Sequence, residues 1–202
     1  MKNKYVNFLL IGVIFLIFSG CASTKVTRVS EKTKIDLSGG WNDYDAMLVS
    51  EEMIADSLKR PWLGNFDDNN KRMPVVIVGN VRNKTQEHID AEVFIKYLER
   101  ELINSGKVIF VASSQERQGL REERDDQQRG FTAEESMAKL GREKGADFML
   151  LGSIHSIKDE KKGKYVVSYQ VNLELINLTS NEKVWIGQKQ IKKKVEQKRF
   201  SL

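Results

Sequence analysis

Two histidines, one cysteine and scattered serines and carboxylates set the chemistry open to this 202-residue chain. His155 lies between Ser153 and Ser156, with Asp147 a short way upstream. A Ser/His/Asp site needs a positioned nucleophile and donors for an oxyanion. No Gly-x-Ser-x-Gly turn supplies them, so His155 reads as a sheet-surface histidine. Glu122-Glu123 and Asp125-Asp126 could attract a cation, but Arg121, Arg124 and Arg129 interleave with them. The looped Asp-x-Asp-x-Asp-Gly pattern of oxygen sites is missing, and a solvated helix surface is the better reading. His88 and His155 cannot make a three-histidine zinc centre. A single cysteine excludes an internal disulfide and a cysteine-cluster metal site. Neither a phosphate-binding Gly-x-x-x-x-Gly-Lys-Ser/Thr loop nor a dinucleotide fingerprint occurs. The expectation is a non-enzyme with no catalytic residue, no metal and no cofactor.

The remaining reactive group is Cys21. Lys2 and Lys4 precede an uncharged run, Phe8 to Phe18, of 11 residues. A spanning helix needs about 20 apolar residues, so this run suits the apolar stretch of a signal peptide instead. Phe18-Ser19-Gly20-Cys21 then resembles the bacterial lipobox, in which cleavage after Gly20 leaves the cysteine as the lipidated first residue. Phe18 departs from the aliphatic residue usual there. Removing residues 1–20 takes away two lysines and no acid, lowering the net charge from +5 to +3. That balance does not point to nucleic acid. Ala22, where an aspartate would signal retention, favours the outer membrane by resemblance to the sorting rule of enteric bacteria.

Residues 21–40 read as a lipidated flexible tether, polar and ending in Gly-Gly, with a reach of at most about 60 Å. One globular domain is expected over 41–195, and a basic tail over 196–202. Asn42-Asp43 opens a helix to about Lys59, with Ala46, Met47, Ser50, Met53, Ile54, Ser57 and Leu58 on one face. Arg60-Pro61 ends it, and 62–73 form a loop. Pro74 to Gly79 is a buried strand, Asn80 to Glu87 a polar loop, 88–104 a helix with Phe94, Leu98 and Leu102 in its stripe, and Lys107–Val111 a second buried strand. This order argues for a right-handed parallel βαβ unit. Residues 115–130 carry nine charges and form a solvated helix or a mobile loop. Thr132-Ala-Glu-Glu135 has the form of a capping box for a further helix through Met137 and Leu140 to Gly145. Strands follow at Phe148–Ile157 and around 165–175, where Tyr165, Val167, Tyr169, Val171, Leu173 and Leu175 alternate with polar partners. Thr179-Ser180-Asn181 supplies a turn, and Lys183 to Ile191 returns. The fold class is α/β: one domain with a mixed, roughly five-stranded sheet and three to four helices packed on it.

Trp41, Trp62 and Phe66 flank the first helix and read primarily as core. If the domain docks on a partner, the surfaces to try are those around 62–66 and 115–130, with Trp62, Phe66, Arg117, Arg121 and Arg124 as contact residues. The tail from Lys189 to Leu202 carries six basic residues and one acid, Glu196. It reads first as a charged chain end after the last strand and second as a patch for an anionic surface.

Several segments together resemble a known family. They are Ser38-Gly39-Gly40-Trp41-Asn42-Asp43-Tyr44-Asp45, Pro74 to Gly79 leading to Asn83-Lys84-Thr85, Gly145 to Ile154, and Leu173 to Leu178 before Glu182-Lys-Val-Trp185. With the lipobox they look like the LpoB-type penicillin-binding protein activators, outer-membrane lipoproteins whose α/β domain is similar to the amino-terminal domain of TolB. The resemblance implies a regulator, not an enzyme. It would be lipid-anchored, face the periplasm, act as a monomer, and dock on an accessory domain of a bifunctional penicillin-binding protein. The tether is shorter than in some members. The alternative is an envelope secretion or assembly lipoprotein similar to CsgG, which would need lipid-facing hairpins of about 9–11 alternating residues per strand.

Overall fold

A computed structural model describes residues 24–31, 33–161 and 163–196. Gly20, Cys21 and the final residues 197–202, where the lipidation site and most of the tail were expected, lie outside them. The chain divides into Met1–Thr33 and Lys34–Leu202. Every core residue and strand ladder described below belongs to the second unit, which folds around a core of its own.

That unit runs α1 (Asp43–Ser57), α2 (Pro61–Asn70), β1 (Val75–Asn83), α3 (Ala91–Asn104), β2 (Ile109–Phe110), α4 (Ser114–Gln127), a 3-10 turn (Glu134–Ser136), then β3 (Phe148–Lys161), β4 (Lys164–Asn177) and β5 (Lys183–Glu196). The strands form a single five-stranded sheet in the order β2-β1-β3-β4-β5. β1 pairs in parallel with β2 and β3, as the βαβ reading requires. β3, β4 and β5 form an antiparallel meander. On β4 the expected alternation holds: Val167, Tyr169, Val171, Leu173 and Leu175 are buried against the helices, while the residues between them are half-exposed on the other face.

α1 starts where Asn42 and Asp45 cap each other, with the Asp45 N–H donating to Asn42 Oδ1 at 3.0 Å and the Asn42 N–H to Asp45 Oδ2 at 3.0 Å. Its buried face, from Ala46 through Ile54, packs with Phe94 and Leu98 of α3 over β1, β3 and β4. β5 is pinned to α1 by polar contacts at a four-residue repeat. The Trp185 indole donates to Asp56 at 3.0 Å, Lys189 pairs with Glu52, and Lys193 pairs with Asp45 at 2.5 Å. The Trp185 ring lies over Gly187, where any Cβ would collide with it.

Five expectations are corrected. Residues 62–73 are not a loop: Pro61 sits in the first turn of α2, where its missing N–H is an orphan in any case, so it starts a helix as well as ending one. β1 does not stop at Gly79 but resumes through Val81–Asn83 after a bulge, at the point where Leu151 and Met149 crowd the Gly79 backbone. β2 has two half-buried residues, not five buried ones, because it lies at the sheet edge. The helix expected after Thr132 is only a 3-10 turn. Met137 and Leu140 are too few to hold a helix by burial, and the backbone at Ala138 bonds instead to the side chains of Gln127 (2.9 Å) and Gln128 (3.2 Å) on α4. Lys189–Glu196 is not a chain end: it belongs to β5. Residues 115–130 resolve in favour of the helix, with Ser113 and Glu116 forming its capping box.

Residues 36–40 return to the sheet as a strap. Tyr165 donates to the Ser38 carbonyl. Lys193 donates to the Gly40 carbonyl at 2.9 Å and pairs with Asp36 at 2.6 Å. Lys193 is only 9% exposed and Asp45 only 3%. Burial alone would lower the lysine pKa, but the hydrogen bonds to Asp36 and Asp45 more than offset this and leave it raised, so the ammonium stays charged. Replacing Lys193 with alanine strands Asp45, and is expected to destabilise the domain by about 3–5 kcal/mol. The double change Lys193→Met with Asp45→Asn is expected to recover more than half of that. Urea unfolding of the three proteins measures both quantities.

Candidate docking groove

The end of the sheet at which β1, β3 and β5 begin and β4 finishes carries a groove of about 900 Å³. It lies between α2 and the β4–β5 turn. Its floor is aromatic: the rings of Trp62 and Phe66 stand edge-on to Phe148 at 5.1 and 5.4 Å. Trp62 is 5% exposed, and its indole donates to the Ser57 carbonyl at 2.8 Å, which ties α2 back to α1. Phe66 is half-buried and presents an edge to the groove, with the Arg72 guanidinium 5.0 Å above its ring.

Asp147 fixes the mouth. It accepts two bonds from Arg72, both at 2.7 Å, and one from the Val75 N–H at 2.8 Å. These donors, Arg72 foremost, hold its carboxyl below the usual carboxylate range. The opposite wall is a turn in which Asn177 Oδ1 accepts from the N–H groups of Thr179 (2.9 Å) and Ser180 (3.0 Å), with Asn181 left-handed at φ 60°. The lining is rich in amides: Asn65, Asn69, Asn70 and Asn177. Among the described residues the side chains of Asn65 and Asn69 have no hydrogen-bond partner. At the turn the Ser180 hydroxyl donates to Glu182 at 2.8 Å. The groove can hold a surface by shape and amide bonding.

The second expected cluster lies elsewhere. On α4, Arg121 meets Glu143 through two bonds at 2.9 and 2.8 Å, and Arg124 adds a third at 2.6 Å. They hold the irregular segment before β3 against the helix. Arg121, and after it Arg124, bring the Glu143 carboxyl down to about 2. Arg117 is half-buried, and its Nε has no partner among the described residues. α4 is tied to α3 by Lys96, which bonds Glu99 at 2.8 Å and Glu116 at 2.7 Å. The structure therefore brings Trp62 and Phe66 together in one groove and places the three arginines on a separate helix. His155 is exposed, bonding only Ser153 at 3.0 Å. Among the described residues no three His, Cys, Asp or Glu gather as metal ligands, and no helix is long and apolar enough to cross a membrane. Arg72 and the asparagines carry no signal of their own in the sequence, and Asp147 enters there only as a candidate partner of His155, whereas its carboxylate bonds Arg72 and the Val75 N–H instead. The signal was present in Pro61 followed by aromatics at a helical spacing of four, 62 and 66.

Comparison with known proteins then places the chain. The model of a family described as peptidoglycan-synthase activator LpoB matches residues 45–191. The chain belongs to this family. Its sheet and helices are similar to the LpoB C-terminal domain from Escherichia coli, with 17% identity over 73% of this chain and 98% of that one and a TM-score of 0.45. They are also similar to the Salmonella enterica LpoB C-terminal domain, with 18% identity over 76% and 100% and a TM-score of 0.40. No curated protein matches. The LpoB match covers α1 through most of β5 and so takes in both the groove and the α4 arginines. Membership makes the chain a regulator of cell-wall synthesis of the activator kind.

Glu143 yields a pH test. A carboxyl with a folded pKa near 2 and an ordinary value of 4.5 binds fewer protons folded than unfolded between those limits. The contact it makes is complete above about pH 4.5 and is lost as pH falls toward 2. Hydrogen exchange across residues 137–147 is expected to be flat from pH 5 to 8, after correction for intrinsic rates, and to lose protection below 4.5. Glu143→Gln should abolish that pH step.

Proposed function

We propose that this LpoB-family chain is an outer-membrane lipoprotein, acylated on Cys21 after residues 1–20 are removed. In this reading its single domain, 41–195, faces the periplasm as a monomer and docks on an accessory domain of a bifunctional penicillin-binding protein. Docking raises glycan polymerisation and peptide cross-linking without chemistry by the lipoprotein itself. The observation that carries this reading is the family match over residues 45–191.

The contact surface we assign is the α2 groove, with Phe66 as its exposed aromatic edge and Asn65 and Asn69 as unspent amides. Arg121 and Arg124 already serve Glu143, and with Arg117 they form at most a second patch on α4. An export role similar to CsgG is not favoured. β4 lies between β3 and β5, and its alternation buries Val167 to Leu175 under the helices, so it is not free to face lipid.

From Cys21 to Lys34 the leash is 13 residues, at most about 45 Å when extended. A 14-residue strand such as β3 adds about 45 Å. The partner must therefore come within roughly 90 Å of the anchoring bilayer.

The purified lipoprotein mixed with the synthase of its own cell should raise polymer yield; absence of both binding and stimulation overturns the reading. Phe66→Ala should weaken docking by about 2 kcal/mol or more, the range of an interface anchor, with a stability loss nearer 1 kcal/mol. Trp62→Ala should instead cost about 3–5 kcal/mol of folding stability. Titration calorimetry and urea unfolding separate the two. Mass spectrometry of the native amino terminus should find acyl chains on Cys21, and Cys21→Ser should release the protein from membranes.

A further inference from the structure

The end of the sheet opposite the groove has a different chemistry. There β3 finishes, β4 starts and β5 finishes, with Lys161 opposite Lys164 and Lys164 opposite Glu196. The strap brings Lys34, Asp36 and Leu37 to the same place, beside Lys192, Lys193 and Lys194. Seven described lysines (34, 158, 161, 164, 192, 193 and 194) lie along the strap and these strand ends, on both faces of the sheet, with Asp36, Asp45, Asp159, Glu160 and Glu196.

Part of this charge is spent. Lys193 is buried on Asp36 and Asp45, Lys158 pairs with Glu160 at 2.7 Å, and Lys194 and Lys164 share Glu196 at 2.8 and 3.5 Å. Lys34 reaches Asp36 only at 3.8 Å. Among the described residues Lys161 and Lys192 have no ion-pair partner, and both are exposed. Two large apolar side chains are exposed toward this end: Leu37 on the strap beside Lys192 to Lys194, 93% exposed, and Ile157 on the sheet face away from the helices, 75% exposed and in register with Ser168 and, one strand further, with Lys192. Isolated apolar side chains set among lysines are what the headgroup layer of a bilayer accepts. The lysine stems reach along the interface while the apolar groups enter it. The second unit also begins at this end, with Lys34.

We propose that this end of the domain is a lipid-facing surface, which rests on phospholipid headgroups bearing negative charge and holds the α2 groove away from the bilayer. The inference takes its orientation from the reading of Cys21 as the anchor. Its contact chemistry depends only on the lysines, Leu37 and Ile157. A second copy of this chain does not fit the same surface, since its lysines would face lysines.

The test uses residues 22–202, the chain after its leader, made without an acyl group; the whole core lies within it. It is sedimented with vesicles of phosphatidylcholine alone and of phosphatidylcholine with 30 mol% phosphatidylglycerol. Binding is expected only to the second kind, and to weaken as salt is raised from 20 to 200 mM. Each neutralised lysine is expected to weaken it about fivefold, so Lys161→Gln with Lys192→Gln should lose on the order of twentyfold. Leu37→Ser should lose severalfold while leaving the salt dependence in place. Circular dichroism confirms that the exposed substitutions leave the fold intact. Equal partition into both vesicles, no binding at low salt, an unaffected double variant, or sedimentation with isolated murein sacculi in place of vesicles would each overturn the proposal. Because no acyl chain is present, failure here leaves the activator reading standing, while loss of synthase stimulation leaves the lipid-facing surface standing.

Discussion

Taking an ammonium group out of water costs several kcal/mol unless other oxygens replace its hydration, and Lys193 meets that demand from three separate parts of the chain. Asp45 comes from the first turn of α1, Asp36 and the Gly40 carbonyl come from the strap, and the lysine itself comes from β5. None of the three can be placed without the others. Asp45 also accepts the Asn42 N–H that caps α1, so the carboxylate that starts the helix also fixes it to the last strand. The strap is then closed by Tyr165, which bonds the Ser38 carbonyl. Next to it, Tyr169 donates to Glu87, whose other oxygen accepts the Trp41 N–H at 3.2 Å. Burial, with Glu87 second, raises the Tyr169 pKa, so the phenol remains a donor. The point where the folded body begins is therefore set by buried polar groups that satisfy one another.

Long strands turn that local anchor into a directional object. β3, β4 and β5 have 14 residues each, more than α1 and α3 need for a floor. The meander carries the strap and the basic residues at one end and the aromatic groove at the other. The register allows no slippage: a shift of one residue on β4 would turn Tyr169 and Leu173 outward and bring Gln170 and Asn172 under the helices. Trp185 adds a second lock, since its ring needs the space over Gly187 to reach Asp56. Rigidity between the two ends follows from this.

Most of this architecture could be read in the residues, and the failures have a common cause. β4 announced itself because one face is buried and the other wet, which period two records directly. α1 and α3 did so through their apolar stripes. Where an element is held by side chain to backbone contacts from a distant segment, the local pattern misled. Thr132 to Glu135 has the form of a capping box, yet its segment is claimed by Gln127 and Gln128. Pro61 reads locally as the end of one helix, yet it also begins another. Half of the groove was visible as Trp62 and Phe66. The other half, Arg72 with Asp147, joins residues far apart in the chain, and no sequence period encodes that meeting. The arginines of α4 were visible as charge, but their engagement by Glu143 depends on where an irregular segment happens to lie.

A protein that activates without catalysing can shift its partner only by the difference between its affinities for the partner's two states. A coupling of about 1–3 kcal/mol is typical, or roughly 5- to 150-fold. In the docking role proposed for it, the α2 groove is suited to that scale. A rigid floor of Trp62 and Phe148 costs little to present, since both side chains are already ordered in the free protein. Phe66 and the amides of Asn65 and Asn69 supply the contacts that can discriminate between two shapes of a docked surface. On the proposed anchoring at Cys21, tethering would add a second factor that needs no new contact. The 13 residues from Cys21 to Lys34 would confine the domain to a thin layer and raise its effective concentration for any partner that enters it. Confinement would then set how often docking occurs, and the groove how far each docking event moves the partner. On that reading a weak, discriminating groove regulates better than a tight one, since tight binding to both states would occupy the partner without moving it.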